Sequence, residues 1–309
     1  MKLKPRIIAI VLLMSVVLIP FQRTFSREPK KDKGFKALVP EIKGLWWNIT
    51  GNPDLGIYNS PNQQPVDFAV WQAKDGTFQL WSCIRGTRAG GKSRLFYRWE
   101  GKSITERNWT PIGIAMEADT TVGEEESGLQ APFVLKDKGI YFMFYGDWNR
   151  ICLAESNDGK VFTRVINRDK NPSLFTGSLY NTRDPMVMKA KDTYFCYYTG
   201  HIMKDDKSDH PKAAIFCRTS KDLVNWSDEI TVSSGGSAST LTDWFGGDCE
   251  CPFVIGINDR YVLFRNQVYG KNSMNTQYCS WDPLNFGINV DEIGRAHVWT
   301  PVTSVNLVC

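Results

Sequence analysis

Four segments of the chain repeat one order of apolar and polar positions. Each has a short polar start, an apolar strand, a turn rich in Asp, Gly, Lys or Asn, and an aromatic-rich strand. The first aromatic residue of the second strand follows the central valine by 8, 7, 7 and 7 residues. The pattern predicts one β-hairpin repeated four times. The segments are VDFAVWQAKDGTFQLWS (66–82), QAPFVLKDKGIYFMFYG (130–146), RDPMVMKAKDTYFCYYTG (183–200) and ECPFVIGINDRYVLFR (250–265).

A third strand and a turn follow each hairpin. The first copy reads LFYRWEGKSI (95–104), and the later ones read ICLAESNDGKVF (151–162), IFCRTSKDLVNW (215–226) and QYCSWDPLNF (277–286). The central valines recur at intervals of 64, 53 and 67 residues. Four-stranded modules at such a period predict an all-β fold, the β-propeller. A β-sandwich also uses many short strands, but it does not explain the fixed offsets.

The repeats also predict how the chain is divided. We expect a five-bladed β-propeller over residues 61–292, with four visible blades and the fifth largely missing from this sequence. A fifth blade is expected because an open ring would leave one face of each terminal module exposed to solvent. Residues 27–60 form an N-terminal lead-in. Residues 293–309 are interpreted as a non-native tail, because they begin with IGRAHVWTPVT, which resembles a translated sequencing adapter.

Residues 1–26 have the features of a secretory signal peptide. Basic residues at positions 2, 4 and 6 precede a 15-residue apolar run that is followed by small residues. A membrane span would need about 20 apolar residues, so an uncleaved anchor is the less favoured alternative. The expected location is secreted or periplasmic, with no stable membrane insertion after cleavage.

Composition narrows the class of protein further. Of the 309 residues 42% are hydrophobic and the net charge is +4, which is typical of a folded globular protein and gives no sign of nucleic-acid binding. The eight cysteines lack the spacing of a small disulfide framework, so buried strand thiols are favoured over disulfides. We expect no metal site and no cofactor, although a structural divalent ion such as calcium in the channel would leave no trace in the sequence.

The starts of the repeated hairpins carry acidic residues. Asp67, Asp184 and the Glu250-Cys251 pair stand at three of the four starts, and Ala131 stands at the other. The innermost strand of each propeller blade begins at the central channel, so these side chains are expected to converge. Convergent carboxylates suit glycoside cleavage, because one must protonate the leaving oxygen while another stays ionised. The apolar neighbours of Glu250 favour it as the proton donor.

Two of these starts resemble known motifs. RDP (183–185) and ECP (250–252) resemble the second and third signature motifs of glycoside hydrolase family 32. The wider layout is similar to the five-bladed propeller glycosidases of families 32 and 43. The resemblance implies action on a terminal furanoside or related sugar of an oligosaccharide or polysaccharide, with arabinofuranosides, xylosides and fructosides all open. It implies Asp67 as nucleophile or general base, Asp184 as transition-state stabiliser or pKa modulator, and Glu250 as general acid.

The first motif differs from that of family 32. Members of that family usually begin with a WMNDPNG-like string, whereas the register of the repeats here points to QPVDFAVW. The string WWNITGNPD (46–54) makes Asp54 the second choice for the first carboxylate. Family 32 retains the anomeric configuration and family 43 inverts it, so the separation of the two reacting carboxyl groups would decide the stereochemistry.

Five further residues are candidates for substrate contact. Arg183 adjoins Asp184 and favours its charged form. His201 is equally well explained as a turn residue, and core packing explains any one tryptophan equally well. The acidic run GEEESG (123–128) is interpreted as a solvated loop. The five candidates are Arg183, His201, Asp147, Trp148 and Trp71.

Two other functions compete with hydrolysis. A carbohydrate-binding propeller without catalysis would have one of the three carboxylates replaced by an apolar residue or paired away. A glycoside phosphorylase of related fold would need a cluster of basic residues at the channel mouth to hold phosphate, and Arg183 by itself is thin support for one. The oligomeric state is left open.

Overall fold

The structure is a computed structural model that describes residues 47–177, 181–202, 212–236, 249–267, 274–297 and 307–308. Within these ranges the chain is built from strands, with short 3-10 turns at Gly56–Tyr58 and Thr120–Val122. The first ten strands are β1 (Asn48–Thr50), β2 (Gln64–Gln72), β3 (Phe78–Arg85), β4 (Leu95–Gly101), β5 (Thr110–Met116), β6 (Gln130–Asp137), β7 (Ile140–Gly146), β8 (Arg150–Ser156), β9 (Thr163–Arg164) and β10 (Ser173–Thr176). The other ten are β11 (Arg183–Ala190), β12 (Thr193–Ile202), β13 (Lys212–Ser220), β14 (Ile230–Ser234), β15 (Cys249–Ile257), β16 (Arg260–Gln267), β17 (Met274–Ser280), β18 (Gly287–Ile288), β19 (Gly294–His297) and β20 (Leu307–Val308).

The strands form four sheets in chain order, which we call blades 1 to 4. Blade 1 is β2-β3-β4-β5, blade 2 is β6-β7-β8-β10 with β9 beside β8, blade 3 is β11-β12-β13-β14-β18, and blade 4 is β15-β16-β17-β19. The first strands of the blades, β2, β6, β11 and β15, contact one another in this order. Sheets that meet through their first strands make a propeller, so the predicted all-β propeller and its four hairpins are confirmed.

Apolar side chains fill the space between successive blades. Between blades 1 and 2, Trp81 and Phe96 pack against Tyr141, Met143 and Tyr145. Equivalent clusters join blade 2 to blade 3 and blade 3 to blade 4. Alternate residues of each strand therefore face the preceding and the following blade, which is why the strands read as almost continuous apolar runs.

The two outer faces of the four-blade array differ. On blade 1 the outward face is covered by the lead-in, because Ile49 and Leu55 pack there with Leu80 and Trp99. On blade 4 the corresponding face is more open, and the Phe253 side chain is 48% exposed. The fifth blade stays a prediction.

Tight Ser-Asx turns end the third strand of blades 2, 3 and 4. In blade 2 the Ser156 hydroxyl accepts the backbone N–H of Gly159 at 2.8 Å and donates to Asp158 at 2.8 Å. Ser220 and Ser280 begin equivalent turns. These turns confirm the predicted module ends and direct the chain into the fourth strand.

Several sequence predictions concern residues outside the propeller core. Seven cysteines within the described ranges are free thiols, five of them buried, which confirms the preference over disulfides for these residues. The predicted signal peptide and Trp46, the first residue of WWNITGNPD, lie outside the described residues. Two stretches of the predicted non-native tail form β19 and β20, and β20 pairs with β1. No helix in the described part of the chain has the length and hydrophobicity needed to cross a membrane.

The interpretation of GEEESG as a solvated loop is wrong for one of its acids. Glu124 is 3% exposed and accepts a hydrogen bond from the Tyr145 hydroxyl at 2.7 Å. It also forms an ion pair with Arg164 at 2.8 Å. A buried, paired carboxylate therefore anchors the connection between blades 1 and 2.

Candidate active site

A β-bulge interrupts the first strand of every blade close to its start. The pairing with the second strand shifts at this point in all four blades. One residue at each bulge has a left-handed backbone: Asp67 (φ 43°), Ala131 (φ 44°), Asp184 (φ 56°) and Cys251 (φ 53°). Such a backbone is uncommon for residues other than Gly, Asn and Asp, so its recurrence, at Ala131 and Cys251 as well, marks a feature that the fold imposes at the channel.

The bulges correct the expected equivalence of the three acids. Glu250 pairs with Asn266 as Arg183 pairs with Thr199, so Glu250 is the counterpart of Arg183. Cys251, one residue later, is the counterpart of Asp67 and Asp184 because it carries the same left-handed backbone. Only two of the four blades therefore place an acid at the bulge itself, and Glu250 reaches the same space from the preceding position.

Arg183 links blades 3 and 4 at the channel. Its Nη2 lies 2.8 Å from Glu250 Oε2, and its Nε lies 3.6 Å from Asp184 Oδ2. Burial disfavours the charged guanidinium, but the charges of Asp184 and Glu250 outweigh burial and raise the pKa of Arg183 above its ordinary value. The expected neighbourhood of these residues is observed, with one cation between two acids.

Asp184 is held in place by two donors. Its side chain is 5% exposed, and its Oδ2 accepts the Thr199 hydroxyl at 2.8 Å and the backbone N–H of Cys251 at 3.2 Å. The second bond crosses from blade 3 to blade 4. These two donors therefore fix the position of the buried Asp184 carboxylate.

Asp67 and Glu250 titrate near neutrality. Burial, followed by the charge of Asp184, raises the pKa of Asp67 to about 6, although Arg94, Arg85 and Arg183 act in the opposite direction. Burial and the charge of Asp184 also raise the pKa of Glu250 to about 7, against the opposing effect of Arg183. Asp67 adds to the rise in Glu250. The three carboxyl groups are thus close enough to interact, which is the convergence that the repeats predicted.

Asp54, the second choice for the first carboxylate, has a different role. It is exposed, and its Oδ1 accepts hydrogen bonds from the backbone N–H of Gly56 at 2.9 Å and from Asn59 Nδ2 at 2.5 Å. The hydrogen bond from Gly56, followed by that from Asn59, lowers its pKa. Asp54 therefore stabilises the turn that precedes β2, and Asp67 is the better candidate.

The structure corrects the expected sugar contact for Trp71 and for Asp147. Trp71 lies between blades 1 and 2 against Trp81, and its indole N–H donates to the Gly159 carbonyl at 2.7 Å. Asp147 is fully buried and paired with Arg150 at 2.5 Å. Both polar groups are used within the protein, which leaves them nothing to offer a sugar.

His201 and Trp148 lie at the channel end of their blades. His201 pairs with Ala213 across β12 and β13, two residues after Thr199 and therefore on the same face of the strand. Trp148 is partly buried and follows β7, whose last residue, Gly146, is opposite the start of β6. Their role in substrate contact stays a prediction.

Two groups of residues at the site were not singled out from the sequence. Thr199 is a buried strand residue of an ordinary type, and only its pairing opposite Arg183 brings it to Asp184. Arg85 and Arg94 are the first and last residues of the string RGTRAGGKSR (85–94). Because this basic turn follows the second strand of a predicted hairpin, the sequence could have placed these arginines at the channel. Among the described residues no group of three or more His, Cys, Asp or Glu is arranged to hold a metal ion.

Solved structures of glycoside hydrolases resemble this chain. A thermostable family-43 glycoside hydrolase has a TM-score of 0.58 at 19% identity, over 80% of this chain and 77% of that one. An endo-1,4-β-xylanase from Bacteroides thetaiotaomicron has a TM-score of 0.55 at 18% identity, over 73% of each chain. An α-L-arabinanase from Penicillium chrysogenum, complexed with arabinobiose, has a TM-score of 0.52 at 15% identity, over 78% of this chain and 68% of that one.

The likeness is one of fold. Identities below a fifth leave the chemistry of each site to be argued from its own residues. No protein-family model matches the sequence, and no curated protein matches it.

Proposed function

We propose that this chain is a glycoside hydrolase that releases a terminal furanoside or related sugar from an oligosaccharide or polysaccharide. The observation that carries the proposal is the meeting of Asp67, Asp184 and Glu250 at the starts of three inner strands, with two of them titrating near neutrality. The similarity in fold to a xylanase and to an arabinanase bound to arabinobiose supports a carbohydrate substrate. Action outside the cytoplasm and a fifth blade belong to the same proposal.

Glu250 is the proton donor in this proposal. Because its pKa is raised to about 7, the carboxyl group is largely protonated at slightly acidic pH and can protonate the leaving oxygen. Its Oε2 faces Arg183, whose charge stabilises the carboxylate that forms once the proton has left. Donor and stabiliser therefore lie on adjacent blades.

Asp67 is the base or nucleophile. Burial and the charge of Asp184 raise its pKa to about 6, so at neutral pH it is ionised and can act as base or nucleophile. Asp184 stays fixed by Thr199 and Cys251 and supplies the negative charge that raises both pKa values. The same charge favours the positive character that develops on the sugar ring in the transition state.

Variants of the two titrating acids test the proposal. The substrates are p-nitrophenyl α-L-arabinofuranoside and β-D-xyloside, their natural oligosaccharides, and sucrose as a fructoside. We expect Asp67→Asn to lower kcat by about a thousandfold on every substrate that is cleaved. We expect Glu250→Gln to lose more activity on oligosaccharides than on nitrophenyl glycosides, because nitrophenolate leaves without a proton donor.

Asp54→Asn is the matched control, because it removes an exposed carboxylate of the lead-in and should leave kcat unchanged. Proton NMR of the first anomer released then reports inversion or retention. Full activity of Asp67→Asn, together with an inactive Asp54→Asn, would contradict the assignment.

A carbohydrate-binding propeller is the second candidate, and one contact favours it. The Glu250 carboxylate is already paired with Arg183 at 2.8 Å, as a structural ion pair would be. If the chain is a carbohydrate-binding propeller, it should bind sugars without hydrolysing them, and Glu250→Gln should still bind them. Detection of any released sugar from the wild-type protein, abolished in Asp67→Asn, would exclude it.

A further inference from the structure

Basic residues line the channel end of blades 1 and 2. The loop between β3 and β4 (residues 86–94) and the turn between β7 and β8 (residues 147–149) lie at the end of each blade where the first strand begins. They are therefore on the same side of the ring as the three carboxyl groups. We call Lys92, Arg94 and Trp148 the cationic rim.

The ring of Trp148 is held by a strained turn. Its φ is 83°, a left-handed value that is rare for a bulky side chain. Asp147 maintains the turn, because its Oδ1 accepts the backbone N–H groups of Asn149 at 3.1 Å and Arg150 at 2.8 Å. The pairing of Asp147 with the Arg150 guanidinium fixes the carboxylate in turn. Strain that the surrounding structure maintains is a frequent property of ligand sites.

Two cations lie against this ring. Lys92 Nζ is 4.7 Å and the Arg94 guanidinium carbon is 5.1 Å from the ring centre of Trp148. Their backbone is fixed to the connection between blades 1 and 2, since the N–H of Lys92 donates to the Glu126 carbonyl at 2.9 Å and that of Arg94 to the Ser127 carbonyl at 2.9 Å. The backbone positions that carry both cations are therefore built into the fold.

The loop and the connection are in close contact. A Cβ at Gly91 would lie 2.2 Å from the Glu126 carbonyl oxygen, and the φ of Gly91 is 39°. Only glycine permits this approach. The loop that carries the two cations is thus pressed against blade 2.

Acidic neighbours neutralise this group only in part. Lys92 lies 3.8 Å from Glu125, and both side chains are more than a third exposed, which makes the pair weak. Arg94 has no ion pair within the described part of the chain. The last paired residues of β3 and β4 are Ile84 and Leu95. Arg85 and Arg94 are the next residues outward on the two strands, so their backbones are adjacent. The Arg85 guanidinium is bonded only to the neutral side-chain oxygen of Gln64, at 2.9 and 3.1 Å.

Two arginines lie near the acids of the channel. Arg94 and Arg85 both act to lower the pKa of Asp67, so their charges lie within electrostatic reach of that carboxyl group. Neither is within ion-pair distance of it. An anion beside the Arg94 guanidinium would accept its N–H groups and gain the attraction of the opposite charge.

We propose that the cationic rim binds an acidic group of the substrate, the carboxylate of a uronic acid or an equivalent oxyanion, next to the sugar that is cleaved. The inference rests on the proposed function and specifies its substrate class. The planar guanidinium of Arg94 matches a carboxylate through two parallel hydrogen bonds, and Trp148 provides an apolar ring for the sugar face. Free inorganic phosphate has the same chemistry and is the alternative source of the anion.

Equilibrium binding of small probes tests the rim without any turnover. Isothermal titration of the wild-type chain compares D-glucuronate and D-galacturonate with D-glucose and D-galactose, and includes inorganic phosphate. We expect the acidic sugars to bind about tenfold more tightly than the neutral ones at low salt, and the preference to shrink as salt is raised. Arg94→Gln should remove most of this preference and leave the affinity for neutral sugars unchanged.

Arg88→Gln is the matched control, because Arg88 is an exposed basic residue of the same loop. It should keep the full preference for acidic sugars. Equal binding of acidic and neutral sugars would overturn the proposal, as would an equal loss of preference in both variants. Binding of phosphate without binding of uronates would overturn the sugar-acid assignment in favour of phosphate.

The outcome is separable from that of the proposed function. None of the probes has a glycosidic bond to break, so binding is measured even if the chain hydrolyses nothing. An acid preference in a protein that cleaves no glycoside would support the rim and count against the hydrolase. Cleavage of a glycoside without a preference for acidic sugars would support the hydrolase and count against the rim.

Discussion

Asp67 in blade 1 and Asp184 in blade 3 occupy the same position of the repeat and have different surroundings. Both stand at a β-bulge with a left-handed backbone, at φ 43° and 56°. Asp184 accepts the Thr199 hydroxyl and the Cys251 N–H, whereas no described residue donates a hydrogen bond to Asp67. The pKa of Asp67 is raised to about 6 by burial and by Asp184. The repeated backbone delivers an acid to the channel, and the neighbouring side chains decide whether hydrogen-bond donors hold that acid in place.

The pH dependence of turnover is the largest effect that this comparison predicts. In the proposed mechanism, activity requires Asp67 without its proton and Glu250 with it, so kcat/KM should rise with pH through about 6 and fall through about 7. About two pH units above the upper pKa, kcat/KM should be about a hundredfold below its maximum. A rate profile on an oligosaccharide substrate, whose leaving group needs a proton, checks this when it is recorded for wild type and Glu250→Gln. If the upper limb stays in place in the variant, Glu250 is not the group that titrates there.

Alanine at the two aspartates should separate their structural roles. Asp184→Ala leaves the Thr199 hydroxyl without its acceptor and leaves the Cys251 N–H with only the Thr199 Oγ1 at 3.2 Å, and should lower the free energy of unfolding by about 2 kcal/mol. Asp67→Ala removes no hydrogen bond, and Ala131 already shows alanine at this bulge, so its cost should be below about 0.5 kcal/mol. Denaturant unfolding of both variants gives the numbers. Equal costs would remove the distinction between the two sites.

Thr199→Val tests whether Asp184 acts through its position. The change removes the hydroxyl donor of a fully buried side chain, and we expect kcat to fall about tenfold. Thr199→Ser keeps the hydroxyl and should restore most of kcat. KM should change less than kcat in the valine variant if the hydroxyl orients Asp184 for the transition state alone. Failure of serine to rescue would point to packing instead.

The smallest predicted effect concerns stability and pH. Because the pKa of Asp67 in the folded state lies above its value of 3.8 in the unfolded chain, its contribution to stability is complete at low pH and is lost as the pH rises through about 6. Asp67→Asn removes this dependence. Its free energy of unfolding relative to wild type should therefore be about 1 kcal/mol more favourable at about pH 8 than at about pH 5. A difference that does not change with pH would contradict the raised pKa.

The fold was predictable from local patterns. Each hairpin joins strands that are close in sequence, so the central valine and the following aromatic, such as Val187 and Tyr194, reveal it without knowledge of the partner blades. The convergence of the acids followed from the repeat, because equivalent strand starts meet at the axis. The tryptophans were not predictable in the same way. Trp71 is buried against blade 2 and Trp148 lies at the rim, although both are aromatic residues of a repeat.

By itself the sequence determined the strands, the four modules and the three acids at the channel, because these follow from periodicity and from a repeat of side chains. The one-residue offset of Glu250 is already visible in RDP and ECP, where Cys251 aligns with Asp184, but tertiary structure alone decided the bulges and the contact of Glu250 with Arg183. It also decided the pKa values and the meeting of Arg94 with Trp148. These properties depend on burial and on charges that come from other blades, and neighbours that are distant along the chain leave no local pattern from which to read them.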